Sequence, residues 1–239
     1  MKIICMGDIH ADFGALNRFL NKKKPDIVLQ TGDFGWWPHR HLIERIGRNH
    51  FFDQYAIKLG GTKLYWCDGN HENHDDLQER VRAAPGAPIE IPVQGCYYMP
   101  RGSILTLPDG RSVLFVGGAM STDKEHRIEG DSWWAGEVPT VEDLEHARAQ
   151  VASHGGRVDI VISHTAPSTF LRQLPANKID QTRLTDPTAA LLDQILEDFT
   201  PRQWFFGHFH LAARGEDLGC AWRCMNAEGF GEGWWVELG

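Results

Sequence analysis

Ile3-Ile4-Cys5-Met6-Gly7-Asp8-Ile9-His10 is the stretch on which the reading turns. Four apolar residues, three of them bulky, have the length and branching of a buried strand. A glycine closes the run, and a carboxylate and an imidazole follow it two positions apart. In extended backbone, residues i and i+2 point the same way, so Asp8 and His10 are expected to face one common point. One oxygen and one nitrogen donor do not hold a metal ion alone. The remaining donors must come from elsewhere in the chain.

The pattern recurs. Ile27-Val28-Leu29 runs to Gly32-Asp33, and Leu64-Tyr65-Trp66-Cys67 runs to Asp68-Gly69-Asn70-His71-Glu72. Val158 to Ile162 ends in Ser163-His164, and Trp204-Phe205-Phe206 runs into Gly207-His208-Phe209-His210. Carboxyl ends of strands in open α/β sheets line the crevice where ligands bind. The periodicity therefore collects Asp8, His10, Asp33, Asn70, His71, His164, His208 and His210 at one sheet edge. Taken singly, a Gly-Asp is an ordinary turn and a His after a strand an ordinary loop residue. Five such endings together argue for a site.

Between these runs, Asp12 is placed to cap a helix carrying Leu16, Phe19 and Leu20, stopped by Lys22-Lys23-Lys24-Pro25. The resulting β-α-β start predicts parallel pairing with a right-handed crossover. From Gly35 to Gly60, Leu42, Ile43, Ile46, Phe51, Phe52 and Ile57 suggest one amphipathic helix, with His39 and His41 solvated. A polar helix is expected from Asp75 to Arg82. Ser103–Leu107 and Ser112–Val116 read as a hairpin turning at Asp109-Gly110. Thr140 and Asp143 form a capping pair, Asp186-Pro187 opens another helix, and the tail from Ala221 to Leu238 reads as antiparallel strands. Residues 119–139 have no period, and they carry Lys124, His126, Arg127, Trp133 and Trp134.

Composition bounds the function. With 239 residues and 42% hydrophobic, one α/β domain over 1–239 is expected. The formal charge of -8 with no basic stripe argues against a protein that grips long nucleic acid through its phosphates. Two divalent ions would bring that charge to about -4. Five cysteines, an odd number without framework spacing, argue against a disulfide-stapled secreted domain, and Cys220-x-x-x-Cys224 reads as two strand residues rather than a zinc pair. The amino-terminal apolar run is too short for a signal peptide or membrane span, which makes the cytoplasm the expected compartment.

The donor set is Asp8, His10, Asp33, Asn70, His164, His208 and His210, all oxygen or nitrogen with no thiolate. That chemistry suits two ions better than one, with Mn²⁺ first and Fe, Zn²⁺ or Ni as alternatives. Two ions about 3.5–4 Å apart polarise a phosphoryl oxygen and supply hydroxide near neutral pH.

In order, Gly-Asp-x-His, Gly-Asp, Gly-Asn-His-Glu, a single His and Gly-His-x-His resemble the calcineurin-like metallophosphoesterase superfamily, over residues 7–210. The resemblance implies a four-layer α/β/β/α sandwich of two mixed sheets around a dinuclear site. It implies Asp8, His10 and His210 on one metal, Asn70, His164 and His208 on the other, and Asp33 between them. It further implies attack on phosphorus by a hydroxide bridging the metals. His71 would contact the phosphate and act as general acid for the leaving oxygen, a role suited to an imidazole near working pH.

After Gly32-Asp33 this chain has Phe34-Gly35-Trp36-Trp37 where the Ser/Thr protein phosphatases have Asp-Arg-Gly, so that branch is disfavoured. The double-strand-break nucleases carry larger added domains. The Glu72-Asn73-His74 extension and the segment from Ser121 to Trp134 resemble small bacterial and phage-like members. The expected function is a phosphodiesterase or phosphomonoesterase on small or nucleotide-type substrates. The alternatives are a nuclease acting on nucleic acid ends, and a metal-binding scaffold without activity. Residues 119–139 are expected on the substrate side, with Arg127 and Lys124 meeting a phosphate. Trp36, Trp37, Trp133 and Trp134 either stack on a base and wall the cleft or plug a sheet edge.

Overall fold

The computed structural model describes residues 1–38, 43–45, 48–50, 56–179 and 181–239. Its first strand, β1 (Ile3–Met6), leads through α1 (Phe13–Lys23) to β2 (Ile27–Gln30), which pairs with β1 in parallel. Asp12 caps α1 by accepting from the Ala15 N–H, and Lys24 closes it in the left-handed region at φ 49°. Such a cap contributes about 1 kcal/mol, and each of Leu16, Phe19 and Leu20, buried beneath the helix, about 1.5–3 kcal/mol. Packing therefore outweighs capping in fixing this element.

Next come β3 (Ile43–Arg45) and β4 (Arg48–His50), an antiparallel pair. The helix expected here does not form at these six residues, and Leu42, Ile46, Phe51, Phe52, His39 and His41 lie outside the described residues. β5 (Lys63–Trp66) then joins β2 in parallel, followed by α2 (His74–Ala83), β6 (Ile89–Glu90) and β7 (Cys96–Tyr98). The second half holds the hairpin β8 (Ser103–Thr106) and β9 (Ser112–Val116), then α3 (Val141–Ser153), β10 (Ile160–Ser163), α4 (Ser168–Leu171), α5 (Pro187–Phe199) and β11 (Gln203–Phe206). It ends with β12 (Ala213–Asp217), β13 (Cys220–Cys224) and β14 (Trp235–Leu238).

Two mixed sheets of six strands result, in the orders β14-β1-β2-β5-β7-β6 and β12-β13-β11-β10-β9-β8. They face each other through Ile3, Cys5, Leu29 and Tyr65 on one side and Val113, Phe115, Ile162 and Phe205 on the other. The alternate residues Ile4, Met6, Val28 and Trp66 pack on α1 and α2, while Val161, Trp204 and Phe206 pack on α3, α4 and α5. Each central strand is thus apolar on both faces, as the unbroken hydrophobic runs require. This is the four-layer α/β/β/α sandwich expected from the sequence.

The tail differs in part. β14 is antiparallel to β1, but β13 lies parallel to β11 and antiparallel only to β12. Cys220 and Cys224 are buried strand residues, free like the other three cysteines.

Candidate metal centre

The motif residues lie where β1, β2, β5, β10 and β11 end. The first three belong to one sheet and the last two to the other. The single sheet edge inferred from periodicity is therefore a seam between two sheets. The His208 N–H crosses it to donate to both Asp8 oxygens at 3.2 and 3.1 Å, and within the first sheet the N–H groups of Ile9 and His10 reach the Asp33 carbonyl. Gly207 and Gly69 are required here by close approach. A Cβ on Gly207 would collide with Asp8 Oδ1, and one on Gly69 with Asp33 Oδ1.

Asp8 and His10 do converge, with Oδ2 and Nε2 3.7 Å apart, but extended backbone is not the cause. The strand ends at Met6, and His10 turns at φ 52°. Asp33, His208 and His210 share this left-handed conformation at 51°, 69° and 50°. Asp and His tolerate it better than most side chains, and such strain gathers at functional sites.

Two groups of donors meet at Asp33. On one side, single ligand atoms of Asp8, His10, Asp33 and His210 lie within 4.8 Å of one another. Here His10 Nε2 stands 3.1 Å from His210 Nε2, His210 Nε2 is 3.3 Å from Asp8 Oδ2, and His10 Nδ1 is 3.6 Å from Asp33 Oδ2. On the other side, His164 Nε2 lies 3.1 Å from Asn70 Oδ1, 3.2 Å from His208 Nδ1 and 3.4 Å from Asp33 Oδ1. One oxygen of Asp33 faces each group.

The protonation pattern asks for cations. His164 Nδ1 sits 2.9 Å from the Thr31 carbonyl and must carry the proton that it donates there. Nε2 of a neutral His164 would then turn a lone pair toward Asn70 Oδ1 and Asp33 Oδ1, acceptor against acceptor. Burial opposes a charge on His164, yet the Asp33 carboxylate raises its pKa to about 10, so a proton fills the gap. Asp33 is held well below the usual carboxylate range, because the neighbouring imidazoles outweigh the effect of burial. Burial and the proximity of His164 push His208 down, and its Nε2, like His10 Nδ1, is buried with no hydrogen-bond partner. Seven donors with surplus lone pairs and orphaned nitrogens fit divalent metal ions.

His71 stands beside this cluster. Its N–H donates to Asp33 Oδ1 at 2.9 Å, and its ring lies edge-on to His10 at 5.5 Å. Arg127 reaches it from the segment 119–139, with guanidinium nitrogens 3.1 and 3.0 Å from the two ring nitrogens, while also bonding Asp123 at 2.8 Å. Lys124 instead lies over the Trp133 ring, and His126 is exposed. The base-stacking reading fails for three tryptophans. Trp36, Trp37 and Trp134 are buried, Trp36 donates to Asp76, and Trp37 donates to the His71 carbonyl and packs edge-on against Trp134. Trp133 is half-buried.

Sequence reasoning missed four residues. Buried Glu72 ties two site loops together, accepting from the N–H of Gly35 at 2.9 Å and of Gly69 at 2.5 Å. Burial and the Asp33 charge push its pKa up to about 8. Its place directly after Asn70-His71 was the available signal. Ser121, Glu137 and Arg183 had none. Arg183 donates to the His208 carbonyl, and Ser121 and Glu137 back Asn70.

The sequence matches the calcineurin-like phosphoesterase family over residues 1–212. The chain belongs to that family. It is a metal-dependent phosphoester hydrolase, and the family implies a divalent metal site where the Asp and His cluster lies. Among solved structures, the phosphoesterase is similar in fold to the phosphopantetheinyl hydrolase of Mycobacterium tuberculosis. The TM-score is 0.51 at 14% identity, covering 99% of this chain and 95% of that one. A hypothetical protein from Thermus thermophilus matches at TM-score 0.45 and 15% identity, covering 95% and 77%. No curated protein sequence matches the chain. Among the described residues, no helix of the phosphoesterase is long and apolar enough to cross a membrane.

Proposed function

We propose that the protein hydrolyses phosphodiesters of small or nucleotide-type alcohols at a two-metal centre. Asp8, His10 and His210 would hold one ion, Asn70, His164 and His208 the other, with Asp33 shared. The observation that carries this is the placement of Asp33, whose Oδ2 faces His10 while its Oδ1 faces His164. Two divalent ions there, Mn²⁺ best suited to the oxygen and nitrogen donors, would supply Lewis-acid polarisation of the phosphoryl group and a water of lowered pKa.

The chain's own groups supply the rest. A phosphate oxygen is a stronger acceptor for Arg127 than an imidazole nitrogen is, because both partners are then charged. With the guanidinium turned to the phosphate, a His71 ring nitrogen holds the proton that passes to the leaving oxygen. Arg127, itself paired with Asp123, offers the phosphate a single cationic side chain beside His71. The antiparallel pairing of β14 with β1 supports one unit over residues 1–239, and the contact of Arg127 with His71 supports 119–139 on the substrate side. Five free, buried cysteines support a cytoplasmic setting.

Mn²⁺-loaded protein is expected to cleave bis-p-nitrophenyl phosphate faster than p-nitrophenyl phosphate, and cyclic nucleotides and a labelled oligonucleotide then sort the substrate. Faster cleavage of the monoester would overturn the diester assignment. Two bound metals with no hydrolysis of any ester would leave a scaffold.

A further inference from the structure

Asn70 can present either end of its amide to a cation, and only the carbonyl end is a ligand. Its Nδ2 lies 3.0 Å from Ser121 Oγ, and its Oδ1 faces His164. Ser121 in turn faces Glu137, a carboxylate only 1% exposed. The Ser121 N–H reaches Glu137 Oε1 at 2.7 Å, and Ser121 Oγ reaches Oε2 at 2.7 Å. A hydroxyl has one proton, and the carboxylate claims it. Oγ then has only lone pairs to offer Asn70, so only the NH₂ end of the amide fits against it. The carbonyl end is left pointing at the donor group of His164 and His208.

We propose that Ser121 and Glu137 are positioning residues that lock Asn70 in its metal-binding orientation. The segment between them, which carries Arg127 to His71, is thereby fastened at both ends to the metal centre. The backbone of Glu137 is itself held, because its carbonyl and that of Gly136 each accept from Arg101 at 2.9 Å. Glu137→Gln is the sharp variant. Gln offers one acceptor and one donor where two Ser121 donors need two acceptors. If its NH₂ meets Oγ, the Ser121 proton turns to Asn70 and draws the carbonyl away from the metal. Outer groups of this kind commonly alter metal affinity by about 10- to 100-fold.

This inference rests on the two-metal reading, and Mn²⁺ titration by calorimetry separates the two. The wild-type protein is expected to bind in two steps, one removed by His10→Ala and the other by His164→Ala. Ser121→Ala and Glu137→Gln should each weaken the His164-dependent step about 10- to 100-fold, leaving the His10-dependent step unchanged. Two unaltered steps in both variants would overturn the positioning role while leaving the two-metal reading intact. Equal weakening of both steps with a lowered melting temperature would reduce it to general support of the fold. A wild-type protein that binds fewer than two Mn²⁺ would overturn the metal reading and this inference together.

Discussion

His71 occupies a position that neither donor group includes. Its backbone is tied to Asp33 and its carbonyl to Trp37, so the ring is carried on a fixed stem while both ring nitrogens face Arg127. A ligand would be expected to turn one nitrogen into the cluster, as His10, His164 and His208 do. His71→Ala should therefore lower kcat by about 10²- to 10⁴-fold while metal content, read by elemental analysis, stays at the wild-type level. Loss of metal along with activity would instead make His71 a ligand. The left-handed conformations of His10, Asp33, His208 and His210 belong to the same scale. Each costs of order 1–3 kcal/mol, and the stitched seam beneath must hold them.

The elements supply that hold, most firmly where β5 ends. Asp68, fully buried there, takes two bonds from Arg101, at 2.9 Å from Nε and 2.6 Å from a terminal nitrogen, and one from the Tyr98 hydroxyl at 3.1 Å. Burial would raise the Asp68 pKa, but the guanidinium wins and lowers it. Arg101→Met should strand that carboxylate and cost about 3–5 kcal/mol in urea unfolding. A loss below about 1 kcal/mol would mean that solvent screens the pair. The Asp68–Arg101 pair could not be read from the sequence, because it joins loops 33 residues apart with no periodic pattern between them. The helices were legible where a cap met a stripe, as at Asp12, Thr140 with Asp143, and Asp186-Pro187. The stretch after Gly35 misled because its apolar residues also suit helical spacing, whereas Ile43–Arg45 and Arg48–His50 pair as antiparallel strands. The convergence of Asp8, His10, Asp33, Asn70, His164, His208 and His210 was legible because each follows a buried run. Ser121 and Glu137 were not, since their contact depends on how an aperiodic segment folds back.

Across the described residues, the sheets close over a core of their inner faces, and the buried carboxylates Asp8, Asp33 and Glu72 gather at the seam. His74, the first residue of α2, is 3% exposed and does not belong to the donor set. Burial lowers its pKa from 6.5 to about 4; Asp68 opposes that shift and Arg101 reinforces it. The consequence is global. Between pH 6.5 and about 4 the unfolded chain takes up a proton that the folded protein refuses, so stability is complete above pH 6.5 and falls as pH drops toward 4. Each unit is worth about 1.4 kcal/mol, so about 2 kcal/mol should be lost from this group at pH 5. His74→Gln keeps a side chain of similar size with no proton to gain. In chelator-treated protein, the wild type should lose about 2 kcal/mol more than this variant between pH 7.5 and pH 5 in urea titrations. Equal losses in the two proteins would show that His74 is protonated as readily in the fold as outside it. The acid sensitivity would then belong to the histidines of the seam.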